Sequence, residues 1–206
     1  ATARIEYYES PAAPPIVETS SLKQDLFRRD FTMNSLAVKL NPRHFGTLVD
    51  YFGAQKDIKE RVIRVLHNLS FVEDPTRVLR AIRFEQRFGF KIGKLTLSLM
   101  KNAVSINSFK GMSARRIFLE LKLLLMERNP TGAVERMDQF DLLPVIHPRI
   151  RMTDELHSLL REVEAVLSWY DRLYLEEPYE PWKVYWLGLT FQLDAGALQK
   201  LGESAQ

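Results

Sequence analysis

Apolar and polar positions alternate through the first eight residues (ATARIEYY), a period of two that predicts a strand running to about residue 9. The stretch 10–21, SPAAPPIVETSS, breaks that alternation with three prolines, which cannot donate to a ladder, and predicts an extended connector. Residues 22–34 then read as a helix, with Leu22, Leu26 and Met33 on one side. Two short apolar runs, 35–40 and 47–52, flank Asn41-Pro42 and predict a hairpin that Gly53 stops. After Asp57 the spacing becomes helical. It predicts a short helix over 58–66, a strong one over 75–88 stopped by Gly89, and further helices over 95–104, 113–127, 131–140, 154–174 and 182–193. Ser113 and Thr131 are the expected N-caps, and Asn129-Pro130 is a break. No repeat of fixed period runs through the chain. The expected fold class is mainly α, with a small α/β remnant of strand plus hairpin to about Leu66 and an all-helical array after it.

Composition adds limits rather than a function. The chain has 206 residues, 46% of them apolar and 27% charged, the profile of a soluble protein that can bury a core. No apolar run approaches the ~20 residues that span a bilayer, and no signal-peptide pattern opens the chain. It begins without Met in a strand already under way, which reads as a piece of a longer polypeptide. Absence of cysteine excludes a disulfide scaffold and a thiolate zinc site, and fits a cytoplasmic setting. The histidines, His44, His67, His147 and His157, form neither an H-x-x-x-H pair nor a His-Asp dipeptide, so no metal site is expected in this chain.

Charge is uneven. Residues 59–128 carry 15 Lys and Arg against 6 Asp and Glu, whereas residues 150–206 carry 5 against 10. A basic middle suits a polyanion such as RNA, although basic helix faces are as often simply solvated.

Two segments carry candidate chemistry. The first, DLFRRDFTMN over 25–34, sets Arg28 and Arg29 beside Asp30. Guanidinium forks suit phosphate and a carboxylate accepts from sugar hydroxyls, while an exposed helix turn with a local ion pair is the plainer reading. The second is EDPTRVLRAIRF over 73–84. Asp74 stands where an N-cap belongs and Pro75 at the first helical position, so helix initiation explains part of it. Arg77 and Arg80 are one turn apart and can share a face with Asp74. A carboxylate accepting from an exocyclic amine, beside a guanidinium donating to a ring acceptor, fits adenine and cytosine; guanine and uracil reverse that order. Asp74 and Arg77 could equally form a helix-start ion pair of a few tenths of a kcal/mol.

RRDFTMN, then EDPTRVLRAIRF some forty residues later, then RFGF, resembles the class II tRNA nucleotidyltransferase and bacterial poly(A) polymerase family. The resemblance takes in A-T-x-R at 1–4, D-x-F-G from Asp50, the run IRVL at 63–66 and the helix holding Arg116, Glu120 and Leu124, and covers about 145 residues. It implies enzymes that add nucleotides to RNA 3′ ends with two magnesium ions on catalytic carboxylates. It implies that Asp74 and Arg77 face the base, with Arg80 in the same nucleotide site. Arg28, Arg29 and Asp30 would handle ribose and phosphates, with Asn34 close by. It implies residues 1–66 as the C-terminal part of a nucleotidyltransferase head, 67–148 as neck with nucleotide-recognition and RNA-binding helices, and 149–206 as the start of a helical body. Arg115, Arg116 and Lys122 are the candidate RNA contacts, and the tRNA acceptor end is the expected RNA.

Departures from the pattern matter equally. The family's Gly-Gly-x-x-R-D segment and Asp-x-Asp pair belong upstream of A-T-x-R, so no catalytic residue and no magnesium ligand are expected within this chain, which would be inactive alone. Gly53-Ala54 stands where Gly-Gly is usual. Template-independent addition of AMP, CMP or both to tRNA 3′ ends, from ATP and CTP, is the leading expectation. Poly(A) synthesis is the alternative. A non-catalytic helical RNA-binding module is the rival of another class, and an interaction scaffold built on Trp169, Tyr170, Trp182, Tyr185 and Trp186 is a third.

Overall fold

The computed structural model describes residues 3–7, 16–175 and 178–205. By packing, the chain divides into two units, Ala1–Gly111 and Met112–Gln206.

In the first unit, β1 (Arg4–Tyr7) pairs antiparallel with β2 (Ile16–Thr19), in register Arg4 to Thr19 and Tyr7 to Ile16. The connector read over 10–21 therefore ends in a strand: IVET is proline-free and rich in β-branched residues, so its backbone can join the ladder. Residues 10–15 lie outside the described residues. Helix α1 (Leu22–Phe27) starts at a capping box, with Ser21 accepting from the Gln24 N–H and Gln24 reaching back to Ser21 N–H. It does not run to residue 34. Phe31 is extended (φ −131°, ψ 153°) and wholly buried, edge-on to Phe84 at 5.7 Å, and the Thr32 N–H donates to the Arg64 carbonyl. Tertiary burial of one aromatic ring outweighs the local helical spacing. A 3-10 turn, Thr32–Asn34, follows.

The expected hairpin is present as β3 (Ala37–Val38) against β4 (Leu48–Val49). Helix α2 (Ala54–Glu60) begins where the Asp50 carboxylate accepts from the N–H groups of Phe52, Ala54 and Gln55. Burial would raise the Asp50 pKa, but these donors outweigh it and hold the carboxyl below its ordinary value. Of the helix expected over 58–66, only residues 58–60 are helical, as the end of α2. Arg61 turns left-handed (φ 56°) and closes α2, and β5 (Val62–Ile63) pairs in parallel with β6 (Lys91–Ile92). That partner lies too far along the chain for local periodicity to reveal.

A four-residue helix, α3 (Ser70–Glu73), leads into α4 (Thr76–Phe88), which Gly89 ends in the left-handed conformation (φ 62°) as the sequence indicates. α4 buries Val78, Leu79, Ala81 and Ile82 against Leu26, Phe31, Ile63 and Phe71 in one core, and α5 (Lys94–Ser105) contributes Met100.

The second unit is helical among its described residues. α6 (Ala114–Leu125) is capped by Ser113 as expected. α7 (Pro130–Asp138) is capped by Asn129, whose side chain accepts from Gly132 N–H at 3.0 Å. Thr131, the cap expected from the sequence, is instead buried in the unit's interior. Then come α8 (Leu143–Ile146), α9 (Asp154–Asp171), α10 (Pro181–Thr190) and α11 (Ala195–Ala205). Leu121, Leu124, Leu125, Met137, Leu142, Leu160 and Leu189 form the core. Of the aromatics read as a possible scaffold, Tyr185 is buried, Trp182 and Trp186 pack edge-on to Phe118, and Trp169 is exposed. The division at residue 111 is one of packing. Transitions expected near 66 and 148 fall inside the two units, and the β5–β6 pair ties segments on either side of the first.

Candidate functional site

The loop after α1 and the start of α4, fifty residues apart in sequence, come together in the first unit. Asp30 is 7% exposed. Its Oδ1 accepts from Phe31 N–H at 2.8 Å and from Asn34 Nδ2 at 2.9 Å. Its Oδ2 accepts from Arg80 Nε at 2.9 Å and Nη2 at 2.5 Å. Four charge-assisted or backbone donors on one carboxylate fill its ordinary acceptor positions, so Asp30 and Arg80 hold each other in a fixed geometry. A sugar hydroxyl reaching Asp30 has to displace one of these donors.

Arg77 is 5% exposed. Its Nη1 donates to Ser70 Oγ at 2.7 Å and to the Ser70 carbonyl at 3.3 Å, and its Nη2 donates to the Arg28 carbonyl at 2.8 Å. Glu73 Oε2 lies 4.0 Å from Nη1. A buried guanidinium needs acceptors on most of its donors, and two segments of backbone supply them here.

Asp74 is extended (φ −139°), and its Oδ1 accepts from Thr76 N–H at 3.1 Å and Thr76 Oγ1 at 2.6 Å. Pro75 already has helical dihedrals, so Asp74 supplies the capping side chain, as the sequence indicates. The Thr76 hydroxyl fixes the plane of this half-buried carboxylate at the positive end of α4.

Arg28 and Arg29 are turned toward Asp25. Arg28 Nη2 donates to Asp25 Oδ1 at 2.9 Å and its Nε to the Arg4 carbonyl at 3.2 Å. Arg29 Nη1 donates to the Asn34 carbonyl at 3.0 Å, with Nη2 3.6 Å from Asp25 Oδ2. Burial would raise the Asp25 pKa; hydrogen bonds from Arg28 and the Arg4 N–H, with the charges of Arg28 and Arg29, more than offset this and lower it. Asp57, buried and paired with the partly exposed Arg64, braces the loop, since Thr32 Oγ1 donates to Asp57 Oδ2 at 2.6 Å.

Four residues of this neighbourhood were not singled out from the sequence. Asp25 could have been, since it stands three and four residues before the two arginines. Ser70, His67 and Arg83 gave no local signal. His67 packs on Phe27 at 5.1 Å, with Nε2 3.4 Å from Glu73 Oε2. Burial lowers its pKa, Glu73 pulls it up, Arg77 pushes it down, and the net is a lowered value. Arg83 is buried with its guanidinium 4.8 Å over the Phe84 ring. Arg115, Arg116 and Lys122 lie on α6, in the second unit. Arg115 is exposed and Arg116 half-buried, whereas Lys122 sits 4.6 Å over the Trp182 ring and 3.8 Å from Glu180. Among the described residues, no group of three or more His, Asp or Glu could hold a metal ion. No helix there is long and apolar enough to cross a membrane.

Chemically, the first unit presents a hydrogen-bonded carboxylate at a helix start and, three residues on, a clamped guanidinium, with a second clamped arginine one turn further. Comparison with known proteins bears on the family. The family described as "Poly A polymerase head domain" matches residues 1–64, and that described as "Probable RNA and SrmB- binding site of polymerase A" matches residues 89–153. The chain is 56% identical over 193 residues to an A-adding tRNA nucleotidyltransferase of Geobacter sulfurreducens, covering 94% of this chain and 22% of that protein. A CCA-adding enzyme in its apo form superposes with a TM-score of 0.89 at 41% identity, over 99% of this chain and 48% of the other. A tRNA nucleotidyltransferase solved with a primer tRNA and an incoming ATP analog superposes with a TM-score of 0.84 at 37% identity, over 92% and 56%. The chain thus spans about a fifth of that curated relative and about half of the solved chains.

Proposed function

We propose, from the premise that this chain belongs to the tRNA nucleotidyltransferase and poly(A) polymerase family, that it is the nucleotide-recognition part of an enzyme adding AMP, CMP or both to tRNA 3′ ends without a template. The observation that carries the reading is the joining of the two family motifs at Arg77, whose Nη2 donates to the Arg28 carbonyl at 2.8 Å. Asp74 accepts from the exocyclic amine of adenine or cytosine, and Arg77 donates to the neighbouring ring nitrogen. Arg28, Arg29, Asp30 and Asn34 form the ribose and phosphate side, with Arg80 held by Asp30. Residues 67–148, through Arg115, Arg116 and Lys122, contact the RNA, and residues 149–206 begin a helical body. The cytoplasm is the compartment of this reading.

The family's chemistry calls for magnesium, which supplies charge neutralisation for phosphoryl transfer. The described residues do not form a carboxylate cluster that fits it. This reading gives the ion to carboxylates outside the chain and routes no step of the chain's own residues through it. What these residues do is bind, orient and select.

The test is incorporation by the full-length protein on tRNA substrates ending before, within and after CCA, with each triphosphate supplied alone. ATP, CTP or both are expected to be added, and GTP and UTP rejected by about two orders of magnitude, the scale of a lost bidentate contact. Equal use of GTP or UTP would overturn the base-reading pair. Long homopolymeric A tails on any RNA end would assign poly(A) synthesis instead, and RNA binding with no transfer would assign a non-catalytic module.

A further inference from the structure

We infer that Ser70 is a positioning residue for base selection, holding both Asp74 and Arg77 from a position outside the two recognised motifs. The inference rests on the base-reading roles proposed above for that pair. Ser70 is fully buried, and it is the first residue of the short α3 that precedes them. Its carbonyl accepts from the Asp74 backbone N–H at 3.2 Å and from Arg77 Nη1 at 3.3 Å. Its hydroxyl oxygen accepts from the same Nη1 at 2.7 Å, and its own N–H donates to the His67 carbonyl at 3.2 Å. One residue is thus bonded to the backbone of the carboxylate reader and to the side chain of the guanidinium reader.

The donor inventory says why this matters. Arg77 has five N–H bonds, and three are directed to Ser70 Oγ, the Ser70 carbonyl and the Arg28 carbonyl. Those three fix the plane of the fork and leave the Nε hydrogen and one on Nη2, which the reading above assigns to a base. Removing the Ser70 hydroxyl leaves an Nη1 hydrogen without its shortest acceptor in a nearly dry site. The guanidinium then gains by rotating toward another acceptor, and rotation spoils the match to the ring nitrogen. Since selection depends on angle more than on attraction, the loss falls on discrimination before it falls on turnover.

The experiment compares Ser70→Ala, Ser70→Thr and Ser70→Cys with the parent in the full-length protein. The measurements are kcat and KM for ATP and CTP, misincorporation of GTP and UTP, and Tm. Ser70→Ala is expected to lower the ratio of correct to incorrect kcat/KM by about tenfold, chiefly through KM for ATP and CTP, the scale of one hydrogen bond to a charged group. Ser70→Thr, which keeps the hydroxyl, is expected to restore most of that ratio, and Ser70→Cys, a weak acceptor of similar size, to fall between. A purely structural role moves Tm and the amount of active protein but leaves the ratio alone. An unchanged ratio in both Ala and Cys variants overturns the inference while Arg77→Ala still loses base choice. Should Arg77→Ala keep its base choice, it is the base-reading role itself that fails. If Ser70→Ala does not fold, the Cys and Thr variants decide.

Discussion

Arg77 and Arg28 are 49 residues apart in sequence, yet the Arg77 Nη2 donates to the Arg28 carbonyl at 2.8 Å. A side chain from α4, the helix that Asp74 caps, is thereby seated on the backbone of the R-R-D loop. If this bond and those to Ser70 orient the base reader, Arg77→Ala in the full-length protein should relax base choice, admitting GTP and UTP within about tenfold of ATP. Arg77→Lys should not restore it, because an ammonium has no planar fork to share among these acceptors. Competition assays with paired triphosphates check both, and a lysine variant with parental selectivity would sink the assignment.

Asp30 and Arg80 form the second lock. Asp30→Asn keeps shape and removes the charge to which Arg80 Nε and Nη2 donate. Stability of the first unit should fall by about 2–3 kcal/mol. A double-mutant cycle with Arg80→Ala, read by urea unfolding, should return a coupling above about 1 kcal/mol. Additive losses would mean that the pair is not coupled. KM for nucleotide should rise in Asp30→Asn, since releasing Arg80 disturbs the site as well as the fold.

Phe31 is wholly buried in the same loop and packs edge-on to Phe84. Phe31→Ala removes a core ring and should cost about 3–5 kcal/mol. Because Asp30 and Thr32 flank it, the loss should appear in nucleotide affinity at temperatures where the protein is still folded. Thermal melts alongside nucleotide titration separate the two effects.

His67 gives a pH dependence of known sign. Its folded pKa lies below the ordinary 6.5, first because it is buried. The unfolded chain therefore takes up a proton more readily than the folded one. Stability from this group is present above pH 6.5 and is lost as pH falls through the folded value. Tm should fall on acidification in that window, and His67→Gln should flatten that part of the profile. A parental slope in the variant would assign the effect elsewhere. Asp25, held below its ordinary 3.8, acts only in a more acid range, where stability is lost as pH drops past that value.

Much of the fold follows from local rules. The Asp74-Pro75 start and Gly89 stop of α4 are legible because capping oxygen, fixed proline φ and left-handed glycine are properties of single residues. The same holds for Ser113 on α6 and for the short hairpin around Asn41-Pro42. Where expectation and structure part, a distant partner is the cause. Residues 62 and 63 pair with residues 91 and 92 instead of extending a helix, and Phe31 breaks the run from Leu22 to fill the core beneath α4. At Asn129 and Thr131 both residues can cap, and burial of Thr131 leaves the task to Asn129.

The candidate site divides along the same line. Residue types and spacing marked Arg28, Arg29 and Asp30, and Asp74, Arg77 and Arg80, as candidate chemistry beside plainer ion-pair and capping readings, and the family resemblance gave these residues, with Asn34, a nucleotide-binding role. Which of them grips which was decided by tertiary structure. That Asp30 is spent on Arg80, that Arg77 is clamped by Ser70 and the Arg28 carbonyl, and that His67 stands against Glu73 depend on burial. A buried charge must find its acceptors wherever the fold brings them, and sequence distance does not enter that requirement.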